Sequence, residues 1–485
     1  MGLDGLYKNR AVLTDDYNLG HWLMKCNVDW ETSHIYNRNR SMILFGFWEN
    51  VIQTLNACIT EKMIDDADRY AADMGMPFPR KMFERVVDEL NGRIPLRVEA
   101  LPEGTYVPRG TPFSQISNTV EGFGELVSWW EAMFVHSFFP SGCATMAFEM
   151  RRYLDHNNYS STKIHSFGFR GYPSLESAYW GGMAWCLFLP GTDDFHLRQH
   201  LPNSIRISSI NAMAHKVVQQ FDREIDSYKY AISAIADRKK REWRMLSVVI
   251  DTYDAWQFIK KYMPEVIAFA LDKKVHLVLR PDSGDTLDQG IAILKYKSVR
   301  KIDRLSCIIG DDMDFQRIAY FDKELLKNHL DPNDMVYGLG SGFYKHIDRN
   351  FLGFSMKTAF SNSKPRMKFS ASGKTSLPGR VRLGYDEDGK MKVYLSNSSK
   401  EFKDATVPNL YEIIYSYSYD PSASDDKPFL RKPNYEETWH RCQAVLQDKD
   451  RINQERIMVA DDILDIMERT KQAYMPITRT ISKSK

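Results

Sequence analysis

Cysteine is scarce in this sequence, and its positions do not form a common metal or redox motif. Six cysteines are spread over 485 residues, and no two of them stand in a Cys-x-x-Cys pair. A zinc site of the usual spacing is therefore not expected. So few cysteines in a long chain are typical of a reducing compartment, and we expect a cytoplasmic protein.

Long apolar runs and a strong charge of one sign are also missing. No apolar stretch approaches the roughly 20 residues that a transmembrane helix needs. The first 20 residues carry acidic side chains and no apolar core, which is unlike a signal peptide. The formal net charge of +2 gives no global reason to expect a nucleic acid or a membrane as a partner.

The chain is long enough for two or three domains, and its parts differ in pattern. Residues 41–95 and 121–153 are predicted to be helical, because apolar residues recur at helical spacing. Residues 94–118 alternate apolar and polar side chains between turn motifs, which predicts β-structure. The basic segment 363–383 is either a mobile surface loop or a loop that grips phosphate.

Between residues 164 and 360 short apolar strands alternate with helical segments. Strands are predicted at 204–208, 246–251, 275–280, 305–311 and 334–338. Repeated βα units indicate a parallel sheet, either open or closed into a barrel. Polar residues follow these strands at their carboxyl ends, which is where α/β folds bind ligands. These residues are His215, Asp254, Arg280, Asp282 and Asp311.

One stretch, VHLVLRPDSGDTLD at 275–288, shows this arrangement most clearly. The strand ends at Arg280, the chain must turn at 281–284, and Asp285 or Thr286 is placed to cap a helix over 288–296. Arg280 and Asp282 are either a structural ion pair in a tight loop or part of a ligand site. This stretch alone does not separate the two interpretations.

Seven motifs, taken in order, resemble the nicotinamide phosphoribosyltransferase family of type II phosphoribosyltransferases. They are HSFGFRG (165–171), PGTDD (190–194), the histidine of INAMAHK, VVIDTYD (248–254), LRPDSGD, IIGDD and YGLGSGFYKHIDRN (337–350). The resemblance extends over about residues 14–380. It implies condensation of nicotinamide with phosphoribosyl pyrophosphate, giving nicotinamide mononucleotide and pyrophosphate in NAD salvage.

The resemblance also implies an architecture. An irregular β/α barrel over 161–362 would be joined to a smaller mixed α+β domain built from 1–160 and 363–485. The protein would be a homodimer with active sites at the subunit interface.

The resemblance assigns the pyridine ring and its amide to five residues. Phe167 would stack on one face of the ring and the partner subunit's Tyr17 on the other. Asp193 would accept a hydrogen bond from the carboxamide and would repel the carboxylate of nicotinate. Arg170 and Arg280 would lie near the amide and the ribose phosphate.

A second set would hold ribose, phosphates and Mg2+. Asp282 would bind the ribose hydroxyls or Mg2+, and the ion itself would be held mainly by pyrophosphate. An arginine from the N-terminal part, Arg40 or Arg38, would also reach phosphate. The remaining contacts would be Gly310, Asp311, Gly340, Ser341, Arg349, Ser355, Lys357, Lys368 and Lys374.

His215 matches the histidine that ATP phosphorylates in this family, and Asp254 matches the carboxylate bonded to it. Departures from the family pattern bear on ATP coupling and affinity more than on the reaction; they include Ala214, Ile250, Asp312, Leu339 and Ser341. Two alternatives remain open, a nicotinate phosphoribosyltransferase and a non-catalytic relative that binds a nucleotide. The six charged residues Asp193, His215, Asp254, Arg280, Asp282 and Asp311 are all retained, which disfavours the non-catalytic alternative.

Overall fold

The computed structural model describes residues 7–24, 28–238, 244–369, 375–396, 408–419 and 426–482. The chain divides into two compact units. Unit 1 consists of Met1–Thr145 with Ile347–Lys485, and unit 2 of Met146–His346. The boundaries predicted from the sequence were 160 and 362. Within the described ranges, no helix has both the length and the apolar character needed to cross a bilayer.

Unit 1 is built on an antiparallel sheet of seven strands. These are β1 (Glu31–Asn37), β3 (Leu96–Ala100), β5 (Pro112–Asn118), β13 (Phe354–Ser361), β14 (Lys364–Pro365), β17 (Glu412–Ser416) and β18 (Phe429–Leu430). Their order is β14-β13-β1-β5-β3-β17-β18. Five shorter or peripheral strands are β2 (Met42–Ile43), β4 (Tyr106–Val107), β15 (Val381–Tyr385), β16 (Met391–Leu395) and β19 (Met458–Val459). The β-structure predicted for 94–118 is confirmed.

Unit 1 also contains several helices, some of which supply apolar side chains to its core. They are α1 (His21–Met24), α2 (Phe47–Leu55), α3 (Glu61–Asp73), α4 (Arg80–Leu90), α5 (Glu131–Val135), α14 (Arg349–Leu352), α15 (Tyr435–Gln447), α16 (Lys449–Ile452) and α17 (Asp461–Ser482). Helix α4 follows Pro79 and ends at Asn91, whose φ of 51° is the left-handed conformation of a helix C-cap. Helix α6 (Phe138–His156) extends from unit 1 into unit 2.

Unit 2 is a curled half-barrel of seven parallel strands. These are β6 (Ile164–Ser166), β7 (Gly191–Thr192), β8 (Asn211–Ala212), β9 (Met245–Val249), β10 (His276–Arg280), β11 (Leu305–Ile309) and β12 (Met335–Leu339). Their order is β7-β6-β12-β11-β10-β9-β8. The predicted parallel β/α architecture is confirmed. The strand predicted at 204–208 is wrong, because only Ser208 of that segment joins the sheet, through a single bridge to Gly191.

The helices of unit 2 connect these strands. They are α7 (Leu175–Cys186), α8 (His215–Val218), α9 (Glu224–Ala236), α10 (Ala255–Gln257), α11 (Met263–Asp272), α12 (Thr286–Arg300) and α13 (Phe315–Lys327). The helix predicted from 214 to 236 is divided into α8 and α9. Asp285 caps α12, since its carboxylate accepts a hydrogen bond of 3.1 Å from the backbone N–H of Asp288. The helix cap predicted within residues 275–288 is therefore present.

A buried ion pair joins Lys163, the residue before β6, to Asp322 in α13. Lys163 Nζ lies 3.0 Å from Asp322 Oδ1, and both side chains are almost completely buried. The hydroxyls of Tyr153 and Tyr337 each donate a hydrogen bond of 2.7 Å to Asp322. Burial lowers the pKa of Lys163, and the neighbouring Asp322 opposes that effect. These partners satisfy a charge that would otherwise be costly to bury.

Candidate active site

The carboxyl ends of β8 and β10 bring His215, Arg280 and Asp282 together. His215 Nε2 lies 3.7 Å from Asp282 Oδ2, and Arg280 Nε lies 3.9 Å from Asp282 Oδ1. Arg280 is held in place by a 3.0 Å hydrogen bond from Nη2 to the Met213 carbonyl. The Asp282 side chain is 36% exposed, so its carboxylate remains accessible to a ligand.

Asp254 does not bond to His215, contrary to the prediction. Its carboxylate instead accepts a 2.8 Å hydrogen bond from the backbone N–H of Gln257 and caps α10. A carboxylate at this position satisfies a free N–H at the start of the helix. His215 Nδ1 lies 3.1 Å from the hydroxyl of Thr252, which fixes the ring from its other side.

Asp251 was not selected from the sequence, although it directly follows the apolar run that forms β9. Its Oδ2 accepts a hydrogen bond from the Ser283 hydroxyl, and its Oδ1 is buried without a hydrogen-bond partner. A carboxylate immediately after a buried strand was the available signal. The sequence interpretation favoured Asp254, three residues later, in the same motif.

The Phe167 ring lies over two glycines at the strand ends. A Cβ atom on Gly338 would be 1.9 Å from the ring, and one on Gly310 would be 3.2 Å from it. The backbone N–H of Phe167 donates a 2.7 Å hydrogen bond to the Leu339 carbonyl. The ring is only partly buried. An aromatic ring is thus available beside Gly310. A Cβ atom added to Gly310 would lie 3.8 Å from Asp282 Oδ1.

The adjacent carboxylates Asp193 and Asp194 have different surroundings. Asp194 is buried and accepts hydrogen bonds from the Ser166 hydroxyl at 2.9 Å and the Phe169 N–H at 3.1 Å. Burial raises the pKa of Asp194, although these hydrogen bonds oppose the shift. Asp193 is exposed and accepts a hydrogen bond from the Ser209 hydroxyl. Asp193 is therefore the member of the pair that is accessible to a ligand.

The other predicted residues of unit 2 lie in the loops after the strands. Arg170 follows β6 and is exposed, and Asp311 follows β11 and is also exposed. Gly340 and Ser341 follow β12, where Ser341 begins a three-residue 3-10 helix. The half-barrel thus gathers the predicted residues of this unit at the carboxyl ends of its strands.

Unit 1 contains a separate group of cations, formed by Arg38, Arg349, Lys357 and Lys368. Burial lowers the pKa of Lys357, Glu131 opposes that shift, and the positive charges of Arg38, Lys368 and Arg349 add to it. The group therefore carries an excess of positive charge that an anion would relieve.

Arg38, a member of this group, and the nearby Ser355 have polar atoms without hydrogen-bond partners. Arg38 Nε and Nη2 and the Ser355 hydroxyl are buried without hydrogen-bond partners. Ser355 pairs with Tyr36 across β1 and β13. A phosphate would supply acceptors for these buried donors, which are costly to leave without hydrogen-bond partners.

The two candidate arginines of the N-terminal part differ in their contacts. Arg40 packs over the Phe351 ring, 4.3 Å from its centroid. Arg38, in contrast, affects the pKa of Lys357 and has unpaired guanidinium nitrogens. These contacts favour Arg38 over Arg40 as the phosphate ligand. Tyr17 is 56% exposed in the 3-10 helix Asp16–Gly20. Lys374 lies outside the described residues.

The chain is similar to known phosphoribosyltransferases. Residues 162–368 match the model of the nicotinate phosphoribosyltransferase (NAPRTase) family. The chain is 26% identical to a nicotinamide phosphoribosyltransferase of Xanthomonas campestris pv. campestris (strain 8004) over 385 residues, which cover 72% of this chain and 80% of that protein. It is 23% identical over 352 residues to a nicotinamide phosphoribosyltransferase of Acinetobacter baylyi (strain ATCC 33305 / BD413 / ADP1), covering 61% and 69% of the two chains.

The fold is also found in a solved structure. Human nicotinic acid phosphoribosyltransferase superimposes with a TM-score of 0.62 over 95% of this chain and 100% of that chain, at 16% sequence identity. Such low identity shows a common fold alone. Residues 162–368, which include most of the half-barrel, are therefore similar to the nicotinate phosphoribosyltransferase family, and the whole chain shares the fold of the human enzyme.

Proposed function

We propose that the protein is a nicotinamide phosphoribosyltransferase acting in NAD salvage. It would condense nicotinamide with phosphoribosyl pyrophosphate to nicotinamide mononucleotide and pyrophosphate. The main support is the exposed carboxylate of Asp193. The backbone N–H of Asp193 donates a 3.0 Å hydrogen bond to the carbonyl of Ser166, the residue before Phe167. An accessible carboxylate is thus held next to an accessible aromatic ring.

The charge of Asp193 favours the amide substrate. A carboxamide N–H can donate to this carboxylate, whereas nicotinate would place a second negative charge against it. The relatives from Xanthomonas and Acinetobacter carry the name nicotinamide phosphoribosyltransferase, which agrees with this choice. Nicotinate remains the alternative, because the family model carries its name.

The condensation requires positioning and charge stabilisation rather than a base. The pyridine nitrogen attacks the anomeric carbon, the bond from that carbon to the pyrophosphate oxygen breaks, and its electron pair leaves with pyrophosphate. The attacking nitrogen carries no proton, so none has to be removed. In the proposed site Asp282 faces the positive charge that develops on the ribose, and Arg280 helps to balance the phosphates.

The cation group of unit 1 is proposed to bind phosphate or pyrophosphate. In a homodimer, Arg38, Arg349, Lys357 and Lys368 would meet the substrate bound by the partner subunit's half-barrel. Tyr17, with its exposed ring, would cover the pyridine ring there. This proposal accounts for the unpaired atoms of Arg38 and Ser355.

Mg2+ is proposed to accompany the pyrophosphate. Mg2+ commonly takes one or two carboxylates and completes its coordination shell with substrate phosphates and water. Asp282, with its partly exposed carboxylate, is the proposed protein ligand. The ion would neutralise charge on the leaving group.

ATP is proposed to phosphorylate His215. The phosphoryl group would move from ATP to a ring nitrogen, and ADP would leave. The His215 side chain is 41% exposed, and Thr252 orients its ring. Phosphorylation would then couple ATP hydrolysis to tighter substrate binding and forward synthesis.

The proposal is tested by measuring nicotinamide mononucleotide formation from nicotinamide, phosphoribosyl pyrophosphate and Mg2+. Wild type and His215→Ala are each assayed with and without ATP. Product that rises with ATP only in wild type supports the reaction and the role of His215. Equal product in all four samples keeps the reaction and contradicts ATP coupling. Binding of phosphoribosyl pyrophosphate without turnover of either pyridine would support the non-catalytic alternative.

A further inference from the structure

The loop that carries Asp282, residues 281–285, is fixed to the half-barrel at its centre. Ser283 follows Asp282 directly, and its hydroxyl donates a hydrogen bond to Asp251 Oδ2 after β9. Asp285 closes the loop by capping α12. Gly284 adopts a φ of 77°, a conformation that favours glycine. Asp282 therefore lies in a loop whose shape is defined by its neighbours.

Gln289 holds the same loop from the side of α12. Its Nε2 donates a 3.3 Å hydrogen bond to the Ser283 carbonyl. A Cβ on Gly284 would lie 3.3 Å from that nitrogen, so the amide and the turn are in close contact. Gln289 is 4% exposed and begins the second turn of the helix. The family motif did not draw attention to this residue, because it lies beyond LRPDSGD.

We propose that Gln289 is a positioning residue, which fixes Asp282 for binding of phosphoribosyl pyrophosphate; this inference rests on the proposed function. The hydroxyl of Ser283 is held by Asp251 and its carbonyl by Gln289. Gln289 acts through the loop and not on substrate, because its side chain is buried and bonds to Ser283. Loss of the amide donor removes one of these two contacts and lets Asp282 move away from Arg280 and His215.

The variant Gln289→Met isolates this effect. Methionine has nearly the same length and volume, and Gln289 Oε1 has no hydrogen-bond partner, so only the bond to Ser283 is lost. Thr286→Val is the matched control. Thr286 lies in the same helix, is 1% exposed, and has a hydroxyl without a hydrogen-bond partner. Both substitutions replace a buried polar group by an apolar one.

Affinity for phosphoribosyl pyrophosphate with Mg2+ is measured by calorimetry, and KM is measured for each substrate. Gln289→Met is expected to weaken binding of phosphoribosyl pyrophosphate roughly tenfold, the effect of one lost hydrogen bond. KM for nicotinamide should stay within about twofold, since Phe167 and Asp193 follow other strands. Thr286→Val should change neither constant by more than about twofold.

Unchanged affinity in Gln289→Met would overturn the inference. So would a lowered Tm with both substrates affected equally, because that pattern indicates general loss of structure. The binding assay needs no turnover, and it therefore separates this inference from the proposed function. Wild type that binds phosphoribosyl pyrophosphate without forming nicotinamide mononucleotide would contradict the function, while the two variants would still test Gln289. Wild type that binds no phosphoribosyl pyrophosphate would overturn both.

Discussion

At the scale of single residues, the position of the Phe167 ring depends on the glycines beneath it. A Cβ atom added to Gly338 would lie 1.9 Å from the nearest atom of the ring, and one added to Gly310 would lie 3.2 Å from it. The motif order identified Phe167 from the sequence. Its contact with Gly338 could not be predicted, since it joins the ends of β6 and β12, which are far apart in the chain.

Gly338→Ala is expected to displace Phe167 and to destabilise unit 2. Overpacking of this kind costs about 1–3 kcal/mol, so Tm should fall and KM for nicotinamide should rise. Gly310→Ala should have a smaller effect, because its Cβ would meet the ring at 3.2 Å. Thermal unfolding gives Tm for each variant, and titration with nicotinamide gives KM.

Gly20→Ala provides the control, since its Cβ would meet only the end of Met24, at an ordinary contact distance of 3.5 Å. An unchanged Tm and KM in Gly338→Ala would contradict the described placement of Phe167.

Residue roles within a motif were harder to predict than the motif itself. VVIDTYD offers two carboxylates, and the sequence interpretation bonded Asp254 to His215. In the structure Asp254 caps α10 and Thr252 contacts His215. A carboxylate can accept a hydrogen bond from a helix N–H or from a ligand or side chain, so the residue type does not separate a cap from a site residue. Only the distances between loops show which of the two roles Asp254 has.

At the scale of secondary-structure elements, alternating apolar and polar residues and polar residues at strand ends predicted some strands and missed others. The stretch 275–288 was predicted well, because β10 is apolar and Asp285 is a good cap. Strand β1, ETSHIYN, was not predicted. All seven of its residues are buried, although most are polar. Their partners come from β5 and β13, and a strand whose polar groups are satisfied across a sheet lacks a local apolar signal.

His34 in β1 makes the stability of unit 1 depend on pH. Its Nδ1 lies 3.1 Å from the Tyr36 hydroxyl, and its Nε2 lies 3.2 Å from Gln115 Oε1. Burial lowers the pKa of His34 to about 4. The neutral ring is therefore favoured by folding, and its contribution is present above pH ~6.5, the ordinary pKa of histidine. It is lost as the pH falls from about 6.5 through 4.

Wild type should lose about 3 kcal/mol of unfolding free energy over this window because of His34. His34→Gln should lack this component, since glutamine does not titrate. Denaturant unfolding at several pH values gives the difference between the two proteins. Parallel pH curves would mean that His34 is not buried in its neutral form.

At the scale of the whole molecule, the order of the motifs predicted the α/β architecture. Local patterns do not mark the first boundary between the two units, because helix α6 runs through it without a turn signal. The cation group of unit 1 was predicted only through the resemblance. Its members come from β1, β13 and their flanking segments, and their proximity follows from strand pairing that local patterns do not reveal. The cytoplasmic location and the homodimer remain predictions.

The buried pair Lys163–Asp322 is expected to be a major determinant of the stability of unit 2. Asp322→Asn would leave the Lys163 charge buried without its counter-charge, which should cost about 3–5 kcal/mol in denaturant unfolding. Glu324→Gln in the same helix α13 is the control, because its 2.6 Å ion pair with Lys327 is partly exposed. That change should cost at most about 1 kcal/mol. Equal effects of the two substitutions would refute the role of the buried pair.

The central proposal is that this half-barrel carries a phosphoribosyltransferase site that prefers the amide nicotinamide over the acid nicotinate. Its most direct test is a competition between equimolar nicotinamide and nicotinate for limiting phosphoribosyl pyrophosphate with Mg2+, with both mononucleotides quantified by mass spectrometry. Nicotinamide mononucleotide should predominate in wild type. Asp193→Asn should reduce that preference roughly 10- to 100-fold, the range for loss of a hydrogen bond to a charged group. Predominant nicotinate mononucleotide from wild type would contradict the account.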